Sequence, residues 1–312
     1  MRSDTAATGL ALLSYLGAGY HHRSDQYQEV VGNGLDFLLE YQKENGDLYL
    51  SEDEESARNA WLYSHGIATI ALCEAYGMTQ DAELKDAAQR AVNFIVAAQH
   101  PSRGGWRYVP GVGSDTSVSG WMVMALRSAE LANLEVPGST WSLVENWLEM
   151  AKGSDNRPEL YRYNPLAPQT VQQGHGRRPT RAMTSVGLLM RLYTGWRRDN
   201  PNMGLGAEYL RSQLPEIGTL RDPQRDTYYW YYATQVMFHM RGENWESWNK
   251  RLHPLLTSSQ VQTGPLAGSW DPFEPIPDRW ADHGGRLYVT TLNLLSLEVY
   301  YRHLPIYEDT AR

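Results

Sequence analysis

Residues 59–110 read NAWLYSHGIATIALCEAYGMTQDAELKDAAQRAVNFIVAAQHPSRGGWRYVP. Ile67, Ile70, Ala71, Cys73, Ala75 and Tyr76 recur at helical spacing. Gly77 is expected to close this helix, and Asp81 to cap the next. The second helix carries Ala88, Ala91, Val92, Phe94 and Ile95, and Gln99 leads from it into Gly104-Gly105-Trp106. One helix, a short turn, a second helix and a glycine loop thus make one unit. The same unit recurs, with variations, along the whole chain.

Upstream, residues 5–16 form an apolar helix at 3.6-residue spacing, and residues 27–42 a second one, ending in Gln42, Gly46 and Leu48. The first helix starts almost at Met1 with nothing before it, as expected of a domain taken from a longer protein. Residues 51–58, SEDEESAR, read as a solvated acidic connection. Downstream, Asp115 caps a third inner helix, whose partner spans residues 141–150. Residues 152–179 are polar and proline-containing and read as a surface excursion. Inner helices over 180–196, 226–240 and 285–301 follow, with partners over 205–214 and 245–260. About six helix pairs result, in units of roughly fifty residues, with no convincing strand alternation. An open solenoid would need polar caps at its ends. Here the first and last helices are both apolar, so packing one on the other closes the array. The expected fold is all-α: a single α/α toroid over residues 1–312.

Composition agrees with a globular chain of 312 residues: 42% hydrophobic, 21% charged, net charge −8. The acidic balance argues against nucleic-acid or anionic-membrane partners. No apolar run approaches the ~20 residues that span a bilayer. Cys73 is the only cysteine, which excludes an internal disulfide and leaves the compartment open. Twenty tyrosines and eleven tryptophans against four phenylalanines suggest amphipathic rings lining a wet concave surface or edging a core.

Gly34, Phe37, Leu38, Gln42 and Gly46 match the G-x2-F-L-x3-Q-x3-G-x-W repeat of squalene cyclases, with Leu48 where tryptophan is usual. Phe94, Ile95, Gln99, Gly104 and Trp106 match with a one-residue insertion, and Leu256, Gln260, Gly268 and Trp270 with a longer one. The chain therefore resembles the prenyltransferase/squalene-oxidase repeat superfamily. The glutamines and tryptophans read as staples between repeats. The cyclases' D-x-D-D acid is reduced here to Ser114-Asp115-Thr116-Ser117, so Asp115 is either a lone acid or only a helix cap. The zinc ligands of protein prenyltransferases have no match, since Cys73 lies in an apolar run, and the Gly-Cys-Gly-Glu-Gln motif of thioester domains is absent. No metal and no other cofactor is expected.

In the toroids that this chain resembles, the inner-helix N-termini line a cavity. That places Asp115 there as candidate acid, with His65, Trp61, Tyr63, Trp121, Arg181, Asp226, Tyr229, Trp230, Arg286 and Tyr288 as candidate ligand-binding residues. The arginines suit an anionic headgroup and the rings an apolar tail. Alternatively, Arg181 and Arg286 pair with Asp226 and Asp282 as a buried network. The reading preferred on sequence is a toroid that binds a small apolar or isoprenoid-like ligand, or a peptide. The alternatives are an active terpenoid cyclase or prenyltransferase, or a polysaccharide-acting α/α-toroid enzyme.

Overall fold

The computed structural model describes residues 3–24 and 26–302. In chain order the helices are α1 (Asp4–Gly17), α2 (Gln28–Glu40), α3 (Glu54–Asn59), α4 (Trp61–Thr79), α5 (Ala82–Ala98), α6 (Thr116–Leu131) and α7 (Gly138–Ala151). A short hairpin follows, β1 (Lys152–Ser154) with β2 (Arg157–Tyr161). Then come α8 (Arg181–Tyr193), α9 (Pro201–Arg211), α10 (Thr227–Met240), α11 (Gly242–Ser259), α12 (Ala281–Leu297) and α13 (Val299–Arg302).

Six of these helices close a ring. α1 packs on α4, α4 on α6, α6 on α8, α8 on α10, α10 on α12, and α12 back on α1. Helices α2, α5, α7, α9 and α11 lie outside it. The closure joins the two apolar ends of the array, so no open repeat face is left. The fold is the α/α toroid.

Burial follows from this position. α4, flanked by α1, α5 and α6, is buried on almost every face from Leu62 to Tyr76. Outer helix α5 buries one stripe, Leu84, Ala88, Ala91, Val92 and Ile95, and is polar on the other. Inner helices α6, α8 and α10 start on side-chain caps. Asp115 accepts from the Val118 N–H at 2.8 Å, Thr180 from Met183 at 3.1 Å and Asp226 from Tyr229 at 3.0 Å.

The repeat motif has a mechanical meaning. Gln99 donates to the carbonyls of Gly104 and Thr140, Gln42 to those of Gly46 and Ala87, and Gln260 to that of Gly268. Trp106 Nε1 donates to the Ile95 carbonyl and Trp270 Nε1 to that of Leu256, at 2.8 and 2.9 Å. Each staple ties a loop to an outer-helix end. Gly104 has φ 80°, and a Cβ there would lie 1.8 Å from the Leu143 carbonyl oxygen, so only glycine fits. Gly46, with φ 90°, meets the Arg90 carbonyl in the same way.

A second staple joins loop to inner helix. The backbone N–H groups of Leu48, Trp106, Tyr161 and Trp270 donate to His65 Nδ1, Ser119 Oγ, Thr184 Oγ1 and Thr290 Oγ1, at 2.9–3.1 Å. One equivalent position on four inner helices thus satisfies one equivalent buried N–H.

Three local expectations are corrected. Gly77 does not end α4; the helix runs to Thr79 and Gln80 takes the left-handed cap, φ 51°. The acidic connection is not all loop, because Asp53 caps a turn of helix, α3. Residues 152–179 are not a detached excursion. The hairpin buries Glu159 and Tyr161, and the chain beyond it buries Asn164, Ala167 and Gly176.

Candidate functional site

The N-terminal ends of the inner helices meet at one end of the ring, and the site is built there around Asp115. Its backbone pairs with Trp106, whose carbonyl accepts the Asp115 N–H at 2.8 Å. The side chain is fully buried, and its two oxygens differ. Oδ1 caps α6 through Val118; Oδ2 accepts the Tyr163 hydroxyl at 3.1 Å and lies 3.7 Å from Arg107 Nε. Burial pushes the carboxyl up to about 7, against the pull of the Val118 N–H, Arg107 and Tyr163. Asp115 therefore holds its proton to far higher pH than an ordinary aspartate.

Tyrosines surround it. The Tyr108 and Tyr163 hydroxyls share a short hydrogen bond. The Tyr63 hydroxyl donates to Ser117 Oγ at 2.8 Å, and Ser117 Oγ meets the Tyr228 hydroxyl at 2.7 Å. This chain joins α4, α6 and α10 across the ring. Tyr63, Tyr108, Tyr163 and Tyr288 are half-buried and form the visible rim. Below them Trp121 stacks on Tyr231, with centroids 5.7 Å apart, and meets Tyr232 edge-on at 5.8 Å. All three are buried. The middle of the ring is thus filled by aromatic side chains.

Asp226 is the matching carboxyl on α10. Burial raises it to about 6, opposed first by the Tyr229 N–H and then by Arg279, whose Nε lies 3.9 Å away. Neighbouring Asp278 is tied up by the Thr227 N–H and hydroxyl, at 2.9 and 2.7 Å. Tyr288 lies close enough to Asp278, Tyr228 and Asp226 for their charges, after burial, to push its hydroxyl well above its ordinary value.

Of the residues expected at the mouth, Tyr63, Asp115, Asp226 and Tyr288 cluster there, with Trp121 beneath. The others are placed differently. His65 is fully buried, with Nδ1 accepting from Leu48 and Nε2 donating to the Ala91 carbonyl at 3.1 Å. Both ring nitrogens face the outer layer and are used there, so His65 is a repeat staple. Trp61 donates to Asp47 at 3.1 Å and stacks on Tyr49 beside the 43–50 loop. Tyr229 also faces outward: it donates to the Gln213 carbonyl, meets Trp248 edge-on, and carries the Arg181 guanidinium 5.0 Å above its ring. Arg181 further donates to the Gln224 carbonyl at 3.0 Å. Trp230 is buried in the core. Arg286 pairs with Asp271 and Ser269, not with Asp226 or Asp282. The expected Arg181/Arg286 network with Asp226 and Asp282 is therefore replaced by Arg279 near Asp226 and by Arg286–Asp271.

Sequence reading missed Arg107, Tyr108 and Tyr163. Tyr163 comes from the segment read as surface excursion. The sequence carried no clear signal: in Arg157–Tyr161 the buried positions are Glu159 and Tyr161, so polarity does not alternate with burial.

No family model matches the chain, and no curated protein matches it. Solved structures do. An α-mannanase from Bacteroides thetaiotaomicron is 11% identical with a TM-score of 0.63, covering 96% of this chain and 87% of that one. An α-amylase from Clostridium perfringens is 14% identical with a TM-score of 0.60, covering 95% and 85%. Cellobiose 2-epimerase from Bacillus thermoamylovorans is 13% identical with a TM-score of 0.60, covering 94% and 87%. At these identities the likeness is one of fold. The three are carbohydrate-acting enzymes by name, and none is a squalene cyclase or prenyltransferase.

Proposed function

We propose that this chain is a carbohydrate-acting α/α-toroid protein that takes a saccharide at the tyrosine rim, with Asp115 as the proton-bearing group. The observation that carries the reading is the Asp115 carboxyl itself. It is buried at the floor of the rim, aimed by Tyr163 and raised to about 7. A carboxylic acid poised near the working pH is what general acid catalysis on a glycosidic or ring oxygen requires. The half-buried tyrosines supply flat faces with polar edges, suited to stacking and hydrogen-bonding a sugar ring. Asp226 is the second raised carboxyl of the same rim and the natural partner in a two-carboxylate mechanism. The likeness in fold to an α-mannanase, an α-amylase and an epimerase adds weight. The isoprenoid reading is weakened because Trp121, Tyr231 and Tyr232 occupy the space that a long apolar tail would need.

The experiment is a panel of α- and β-linked oligosaccharides, scored by calorimetry for binding and by product analysis for cleavage or epimerisation. Asp115→Asn is expected to retain binding and abolish turnover. Squalene or an isoprenoid diphosphate binding in place of every saccharide would overturn the proposal.

A further inference from the structure

The rim next to Asp115 carries positive charge that the protein does not neutralise. Arg103 and Arg107 flank the start of α6 on one side, and the backbone segments that carry Arg162, Arg177 and Arg178 flank it on the other. The Thr116 N–H and hydroxyl donate to the Tyr163 and Arg162 carbonyls, and Arg162 bridges to Pro179, which fixes the 162–163 and 177–179 strands beside that helix start. On the other side, Gly113 faces the side chains of both Arg107 and Arg103. Burial, and then neighbouring Arg177, lowers the Arg162 guanidinium below its ordinary value, so these two cations lie close. Among the described residues, none of Arg103, Arg162, Arg177 and Arg178 forms an ion pair. Arg162 and Arg177 donate only to backbone carbonyls, of Met150, Ala151 and Ala167. Arg107 has Asp115 at 3.7 Å, its Nε makes no hydrogen bond, and its guanidinium lies over the Tyr108 ring at 5.1 Å. Buried Glu159, on the hairpin that leads to Arg162, is already paired with Arg157.

Four arginines without a carboxylate of their own, beside a fifth that has only buried Asp115, are costly in self-repulsion, and the chain as a whole has a net charge of −8. A concentrated cationic crescent on an acidic protein, bordering an acid and a row of tyrosines, has the form of an anion seat. Resting on the saccharide reading above, we infer that the ligand of this mouth is an acidic oligosaccharide, whose carboxylate or sulfate groups sit on the Arg107–Arg162–Arg178 side while its rings stack on Tyr108 and Tyr163. Arg107 has two roles: it binds the acidic group and, by turning towards it, withdraws from Asp115.

The test uses matched pairs: an oligogalacturonate against its methyl ester, and a sulfated against an unsulfated galactan oligomer, titrated by calorimetry at low and at physiological salt. The acidic member of at least one pair should bind about tenfold or more tightly, a gap that shrinks with salt, as charge-assisted contacts imply. Preference within the first pair alone identifies a uronate, and within the second alone a sulfate. The double variant Arg107→Gln/Arg178→Gln should erase that preference, bringing the acidic and neutral members within about twofold of each other, as expected when the charge-assisted contacts are lost. Arg107→Lys/Arg178→Lys should restore part of it, which separates charge from packing. Equal binding of both members overturns the acidic-ligand inference and leaves the saccharide reading standing. Binding of no saccharide at all overturns both.

Discussion

Asp115 and Asp226 hold the same place in two repeats, and the difference between them locates the chemistry. Each is the side-chain cap of an inner helix, each is buried, and each is raised by that burial. Beside Asp226 stand Arg279, whose Nε lies 3.9 Å from the carboxyl, and Asp278, which is bonded to Thr227. At Asp115 the second oxygen accepts from the hydroxyl of the half-buried Tyr163 and has Arg107 3.7 Å away. The cap is the common structural duty. What makes one of the two carboxyls a candidate acid is what the neighbouring loop brings to the other oxygen.

The largest expected contrast is in turnover. Asp115→Asn keeps a capping side chain and should cost about 100- to 10,000-fold in rate, the usual worth of a general acid. Asp226→Asn should cost less, and a larger loss there would reverse the assignment. The loop behind each residue sharpens the same contrast. Trp106 is fully buried and its carbonyl fixes Asp115. Trp106→Ala should cost ~3–5 kcal/mol in chemical denaturation. A variant that melts like the parent would show that the staple is not structural.

Stability against pH gives the next contrast. A carboxyl whose folded value lies above its unfolded value keeps its proton in the folded state while the unfolded chain has lost it. Its contribution is therefore fully present below pH ~4, falls as pH rises, and levels off above the folded value. For Asp115, raised from 3.8 to about 7, the fall is about 4 kcal/mol between pH 4 and 7. For Asp226, raised to about 6, it is about 3 kcal/mol and ends earlier. Asp115→Asn should remove the upper part of this slope and gain stability relative to the parent at pH 8. A slope unchanged by Asp115→Asn would contradict the burial argument. The smallest effect is that of Tyr163→Phe, which removes two hydrogen bonds, to Asp115 and to Tyr108, worth about 1 kcal/mol each. Because the bond to Asp115 favours the charged carboxylate, its loss should move the Asp115 transition to higher pH.

The ring was legible in the sequence because its determinants are local and repeated. Helical spacing, caps such as Asp81 and Asp115, and the Gln–Gly–Trp loops each recur, and apolar ends force closure. The mouth was less legible because proximity to a helix N-terminus does not say which way a side chain points. His65 and Tyr229 both sit near inner-helix starts, yet both turn towards the outer layer. Aligning the repeats at the second staple would have exposed His65, since Ser119, Thr184 and Thr290 do the same work. Tyr163 was hidden for another reason. It comes from a polar segment with few apolar residues, and its place beside Asp115 depends on a pairing between Arg162 and Pro179 that local pattern does not reveal.

The most direct test is a carboxyl-carbon NMR titration of Asp115, assigned by comparison with Asp115→Asn. The account predicts a transition near pH 7, well above the usual aspartate range, with Asp226 titrating lower. A midpoint near 4 for Asp115 would mean an ordinary ionised cap at neutral pH, and would contradict its role as the acid of a saccharide site.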